Sequence, residues 1–198
     1  MMTKKELRKK YKQLRNELNF ESIEDLSLQI ANQCLQLPIW QHENYHVFLS
    51  IEEHKEVQTD FLLHILSGKD KNIILSRTEF DTLRMINVLL TDNVIIKKNQ
   101  WNIPEPENGI IVDNQIIDVV FVPLLAYDKK GNRVGYGKGF YDVFLSECRP
   151  ETLKIGLSFF EAENEISEAE EHDIRLDYCI TPKNIYTFTP TIDKSQEK

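Results

Sequence analysis

An unbroken apolar run, Val119-Val120-Phe121-Val122-Pro123-Leu124-Leu125, follows Asp118 and is the strongest constraint on how this chain folds. A run that never alternates with polar residues fits a strand buried on both faces, the usual condition inside a parallel sheet. A few residues later comes Arg133-Val134-Gly135-Tyr136-Gly137-Lys138-Gly139-Phe140-Tyr141-Asp142, and from Gly139 the pattern reads as a helix start. Strand, glycine loop and helix N-terminus together make a common geometry for binding phosphate.

Glycine at alternate positions lets a ligand approach the backbone and permits positive φ. Successive N–H groups can then converge on an anion. Arg133 and Lys138 add positive charge, and Asp142 is placed to hold a cation beside that anion. A glycine-rich surface turn is the plainer reading. Asp142 also suits the first turn of a helix with no metal at all. The dinucleotide fingerprint fails because Phe140 stands where its third glycine belongs, and the Walker pattern is absent.

Elsewhere, Thr3-x-x-Glu6 is a capping box, and Leu7, Tyr11, Leu14 and Leu18 recur at helical spacing. Lys4 and Arg8, four apart, share one surface of that helix; Lys5, Lys9, Lys10 and Lys12 read as its solvated face. Ser22 is expected to cap a second helix, and Thr59 a third that runs through Leu66 and ends at Gly68. Strands are expected over Tyr45–Ser50, Lys71–Arg77, Arg84–Leu90, Lys154–Phe159 and Tyr178–Thr181. Pro104 and Pro106 exclude a central strand between Trp101 and Asn108. The acidic run Glu161–Glu171 reads as a loop or an exposed helix. His172-Asp173 fits a capped turn, with a dyad or a metal site as alternatives; Trp101 and Phe159-Phe160 read as packing residues. Alternating strands and helices predict an α/β fold, a three-layer α/β/α sandwich around a largely parallel sheet. Ligands in such folds bind at the carboxyl ends of strands.

A chain of 198 residues is expected to form one domain over 1–198, with a frayed tail after about residue 190. No apolar run is long enough to span a membrane, and the charged N-terminus has no signal-peptide core. Cys34, Cys148 and Cys179 lack metal or redox spacing, which suits a reducing cytoplasm. With 24 Lys and Arg against 32 Asp and Glu, the net charge of -8 argues against general nucleic-acid binding. A nucleotide needs only a local cluster of cations.

Gly131 to Asp142 resembles the signature of the 5-formyltetrahydrofolate cyclo-ligase family, G-x-R-[LV]-G-x-G-x-G-[YF]-Y-D. Lys4 with Leu7-Arg8, Phe48-Leu49-Ser50, Glu56-Val57-Gln58-Thr59, Pro104-Glu105-Pro106, Val122-Pro123, Asp128, Lys154 to Phe159, His172-Asp173 and Asp177 recur in family order. The resemblance implies the three-layer fold and the ATP- and Mg2+-dependent conversion of 5-formyltetrahydrofolate to 5,10-methenyltetrahydrofolate, with release of ADP and phosphate. It puts Lys4, Arg8, Arg133, Val134, Gly135, Tyr136, Gly137, Lys138, Gly139, Phe140 and Tyr141 on ATP-binding positions. Lys138 and Arg133 are the residues expected to steady the transferred phosphoryl group. Tyr136, Gly137, Lys138, Gly139 and Phe140 also fall on folate contacts, as do Ile51 and Gln58; Glu56 shares that role if its segment is a strand. Asp142 and Asp173 fall on metal-associated positions. Tyr136 stands where the family often has arginine, and Gln58 where some members have an acid. The partners implied are ATP and the folate, with no nucleic acid and no membrane, acting on a monomer. A folate-binding module without turnover and a sugar-phosphate or coenzyme A enzyme are the rival readings.

Overall fold

The computed structural model describes residues 2–167 and 173–188. His172, the end of the acidic run and the tail after Pro190 lie outside the described residues.

In chain order the elements are α1 (Lys4–Glu17), α2 (Phe20–Cys34), β1 (Asn44–His46), α3 (Asp60–Gly68), β2 (Asn72–Glu79), β3 (Arg84–Leu89), β4 (Ile96–Lys98), β5 (Pro104–Pro106), β6 (Ile110–Ile111), β7 (Val119–Pro123), β8 (Ala126–Tyr127), β9 (Arg133–Val134), α4 (Phe140–Glu147), β10 (Leu153–Leu157), β11 (Tyr178–Ile180) and β12 (Ile185–Thr187). Eight strands form one sheet in the order β12-β11-β10-β7-β1-β2-β3-β6. The inner five are parallel; at the edges β12 pairs antiparallel with β11, β3 with β2, and β6 with β3.

The apolar run around β7 has its cause here. Val119 and Phe121 pack with Ile30, Leu62 and Leu66 of α2 and α3, whereas Val120 and Val122 pack with Phe144 and Leu145 of α4. These four of the five β7 residues are fully buried. Burying each such side chain is worth about 1.5–3 kcal/mol, so polar alternation has no place in this strand. Close packing continues in β10, where a Cβ on Gly156 would come within 2.5 Å of Leu124 Cδ2. The helix α1 lies apart from both faces. Leu7 and Tyr11 pack on Ala126 and Val134 of the β8–β9 hairpin, the segment that carries the glycine loop.

Three local expectations change. Asn19, not Ser22, caps α2: its side chain accepts from the Ser22 N–H at 2.8 Å. Thr59 occupies the cap position of α3 without capping it, because its hydroxyl donates to the Phe48 carbonyl at 2.6 Å. The strand expected over Tyr45–Ser50 ends at His46, although the Val47 N–H still donates to the Ile74 carbonyl of β2 at 2.9 Å. The prolines at 104 and 106 do keep β5 out of the main sheet; it pairs only with β4.

A polar chain crosses the α4 side of the sheet. Asn114 Nδ2 donates to Glu147 at 2.8 Å, Asn87 Nδ2 to Asn114 at 2.6 Å, and Ser76 to Asn87 at 2.5 Å. Ser76 gives its only proton to Asn87, so the 2.6 Å contact from His46 Nε2 must be the imidazole donating. His46 Nδ1 is then a buried lone pair with no partner among the described residues. Burial holds this imidazole neutral, with a pKa lowered to about 3.

Candidate active site

A string of alternating charges runs between four separate segments. The capping box of α1 holds Lys4 in the first turn, and its ammonium donates to Asp173 Oδ2 at 2.6 Å. Asp173 belongs to the irregular segment before β11. Arg133, on β9, lies within the fields of both Asp173 and Asp142. Its Nη2 donates to Asp142 Oδ1 at 2.6 Å, and Nη1 donates to the Ile174 carbonyl. The Arg133 side chain is almost fully enclosed; burial lowers its pKa from the usual value, and the two carboxylates oppose that shift.

Beside the string lies the glycine loop. Gly137 and Gly139 have φ of +95° and +78°, conformations that side chains with a Cβ avoid. Gly139 caps α4 and gives its carbonyl to the N–H groups of Asp142 and Val143. The N–H groups from Gly137 to Tyr141 have no acceptor among the described residues. These amides, at a loop and a helix N-terminus, are suited to an anion. Arg8 Nε donates to the Gly135 carbonyl at 3.0 Å, and its guanidinium lies against Gly137, where a Cβ would approach Arg8 Cζ to 3.2 Å. Lys138 is exposed on the same loop.

The other end of α1 meets the 50s loop. Lys55, at a φ of +48°, donates to the carbonyls of Asn16 and Leu18 at 2.8 and 2.5 Å, closing the helix C-terminus. The backbone between Ile51 and Glu56 folds back on itself, and Glu56 Oε2 accepts from the Ile51 N–H at 2.8 Å. The Glu56 side chain is buried, facing Tyr136 and Tyr141. Gln58 and Ile51 are half-buried nearby in sequence, and the Gln58 N–H is held by Ser27 Oγ at 2.9 Å. His54 stacks on Tyr136 with ring centroids 5.0 Å apart.

Thus Lys4, Arg8, Arg133, Asp142, Asp173 and the glycine loop, all picked from the sequence, form one connected surface. Glu56 joins them through Tyr136, although its segment is a 3-10 turn and loop rather than a strand. Gln58 and Ile51 make no side-chain hydrogen bond to the glycine loop among the described residues. Trp101 packs against Phe80, with ring centroids 3.7 Å apart, while staying half exposed, and Phe80 stands edge-on to Phe140 at 5.4 Å. The sequence reading missed Arg15, whose side chain is buried against the same loop. A signal was present, because Arg15 continues the Leu7, Tyr11 spacing along the apolar face of α1.

A parallel sheet that carries a glycine loop and paired charges beyond its strand ends belongs to the α/β class of enzymes. The sequence profile of the 5-formyltetrahydrofolate cyclo-ligase family matches residues 1–182. The chain is similar to 5-formyltetrahydrofolate cyclo-ligase of Mus musculus, 31% identical over 66% of this chain and 69% of the relative. It is similar to the Escherichia coli K12 enzyme of that name at 25% identity, over 88% of this chain and 98% of the relative. The NMR structure of 5,10-methenyltetrahydrofolate synthetase from Aquifex aeolicus superimposes with a TM-score of 0.81, at 26% identity and 99% coverage of both chains. The chain therefore belongs to the 5-formyltetrahydrofolate cyclo-ligase family and is an enzyme of it; the family's substrates are ATP and 5-formyltetrahydrofolate.

Proposed function

We propose that this chain, as one domain and a monomer in the cytoplasm, closes 5-formyltetrahydrofolate to 5,10-methenyltetrahydrofolate at the expense of ATP. The observation that carries this reading is the juxtaposition of open loop amides with Lys4, Arg8 and Arg133 beside the buried acid Glu56. One region suits polyphosphate; the next suits a neutral heterocycle with N–H donors. Eight of the strands, from both ends of the chain, share one sheet, which supports a single catalytic unit. The three free, buried cysteines suit a reducing compartment.

The formyl oxygen leaves poorly as oxide or hydroxide. In our reading it attacks the γ-phosphorus of ATP, ADP departs, and an iminium phosphate forms. N10 then attacks the formyl carbon, loses its proton, and the C–O bond breaks to release phosphate. Such a transfer needs in-line positioning and charge neutralisation more than covalent help. Lys4, Arg8 and residues 133–141 hold the triphosphate, with Lys138 and Arg133 at the transferred group. Ile51, Glu56, Gln58 and the loop from Tyr136 to Phe140 hold the folate.

Mg2+ fits the remaining residues. Asp142 and Asp173 both face Arg133, and no third His, Cys, Asp or Glu joins them among the described residues. Hard oxygen donors in that number match an ion that keeps water and phosphate ligands. When bound, Mg2+ would neutralise charge on the phosphates. The two carboxylates would hold it, while Lys4 and Arg133 keep them oriented.

The test is incubation with 5-formyltetrahydrofolate, with and without MgATP, followed by the near-ultraviolet absorbance of the methenyl product. The band should appear only with ATP. Folate binding without turnover would leave the rival module standing. The route of the oxygen is tested separately by labelling the formyl oxygen with heavy isotope: label should reach phosphate, and label found only in water would overturn the iminium phosphate.

A further inference from the structure

The Tyr136 side chain occupies a place where a phosphate contact would be expected, and it points elsewhere. Its hydroxyl accepts from Arg15 Nη1 at 2.6 Å. The same phenol lies in the field of the Glu56 carboxylate. Arg15 is only 3% exposed and Glu56 4%, so two opposite charges are buried on either side of one phenol. Burial and then Glu56 push the phenol pKa upward, with Arg15 pulling the other way. The phenol therefore stays protonated and accepts from the guanidinium.

Each member of this relay is anchored to a different part of the fold. Arg15 sits near the C-terminus of α1 and donates through Nη2 to the Leu124 carbonyl, just past β7, at 2.6 Å. Glu56 closes its own loop through Ile51 N–H. Tyr136 lies between Gly135 and Gly137 of the glycine loop, its ring stacked on His54. Arg15 and Glu56 form no ion pair among the described residues, and unpaired buried charges are costly.

We infer that Arg15 is a positioning residue for the reaction: through the Tyr136 hydroxyl it fixes the glycine loop against Glu56, so that the nucleotide loop and the folate pocket are set as one unit. The inference rests on the proposed reading of the glycine loop and the 50s loop as the two substrate sites. It assigns a role to the tyrosine that stands where related chains often carry arginine. The phenol takes over the task of joining two loops, and phosphate neutralisation falls to Arg8, Arg133 and Lys138. Arg15 touches neither substrate in this scheme; it acts through Tyr136.

Tyr136→Phe removes the hydroxyl and keeps the ring on His54. Losing a hydrogen bond to a buried charge should raise KM for 5-formyltetrahydrofolate about tenfold, with KM for ATP within twofold of wild type. Arg15→Met should raise the folate KM by a similar factor. In the Tyr136→Phe background, Arg15→Met should add less than twofold to the folate KM, although its own lowering of the melting temperature persists. That split separates positioning from a merely structural role. If Arg15→Met fails to fold, Tyr136→Phe alone decides. A folate KM in Tyr136→Phe within twofold of wild type, or multiplicative effects in the double variant, overturns the inference while wild-type turnover still upholds the function. Absence of ATP-dependent turnover in the wild type overturns the function and the inference with it.

Discussion

Lys4 and Asp173 are separated by 169 positions in the chain and meet at 2.6 Å, tying the first turn of the first helix to the segment that enters β11. Asp173 also lies in the field of Arg133, which pairs with Asp142. A carboxylate assigned to Mg2+ is therefore already a partner of the cations assigned to ATP. Asn at Asp142 or Asp173 should raise the Mg2+ concentration needed for half-maximal rate before it unfolds the protein. Asp142→Asn should also lower the melting temperature more, because it leaves Arg133 buried beside one acid fewer. A Mg2+ titration of both variants checks this; unchanged curves in both would make the carboxylates structural.

Lys138→Ala should reduce turnover by about 10²–10³, the usual cost of removing one preorganised donor at a developing charge. Lys138 is exposed, so the melting temperature should stay at the wild-type value. Steady-state rates beside a thermal melt check both halves. A rate within threefold of wild type would remove Lys138 from the site.

Gly137→Ala strains a backbone at φ of +95° and crowds the Arg8 guanidinium. Placing an L side chain in the left-handed region costs about 1–2 kcal/mol, which converts to roughly a tenfold effect. The expected outcome is a rise of that order in KM for ATP, with the folate KM nearly unchanged. Effects equal on both substrates would mean that the whole loop has moved.

His46 predicts a pH dependence of stability. Its pKa falls from 6.5 to about 3 on folding, because burial disfavours the charged ring. Between those values the unfolded chain binds a proton that the folded chain does not. Stability should therefore fall as pH drops through this window, by about 1.4 kcal/mol per pH unit from this group alone. Urea titrations at pH 7 and pH 4.5 should show that loss in the wild type and a smaller one in His46→Gln. Equal losses would mean that His46 takes no part.

Much of this fold is legible in residues that are neighbours along the chain. The unbroken run of β7 could only be a doubly covered strand, because no residue in it can face water without cost. The alternating glycines, the capping box of α1 and the excluded central strand at Pro104–Pro106 follow from backbone geometry, which is local and so is written in adjacent residues. The charged residues of the site were legible one by one through the family likeness. Their pairing was not. Lys4 finds Asp173, and Arg15 finds Tyr136, only because α1 packs on the β8–β9 hairpin. Thr59 failed as a cap for a similar reason, whereas Ser22 lost to a local rival. The side chain of Asn19 reached the open N–H first, and the Phe48 carbonyl drew the threonine hydroxyl away. Burial, and the neutralisation it demands of each charge, depends on neighbours far along the chain; only the tertiary structure supplies them.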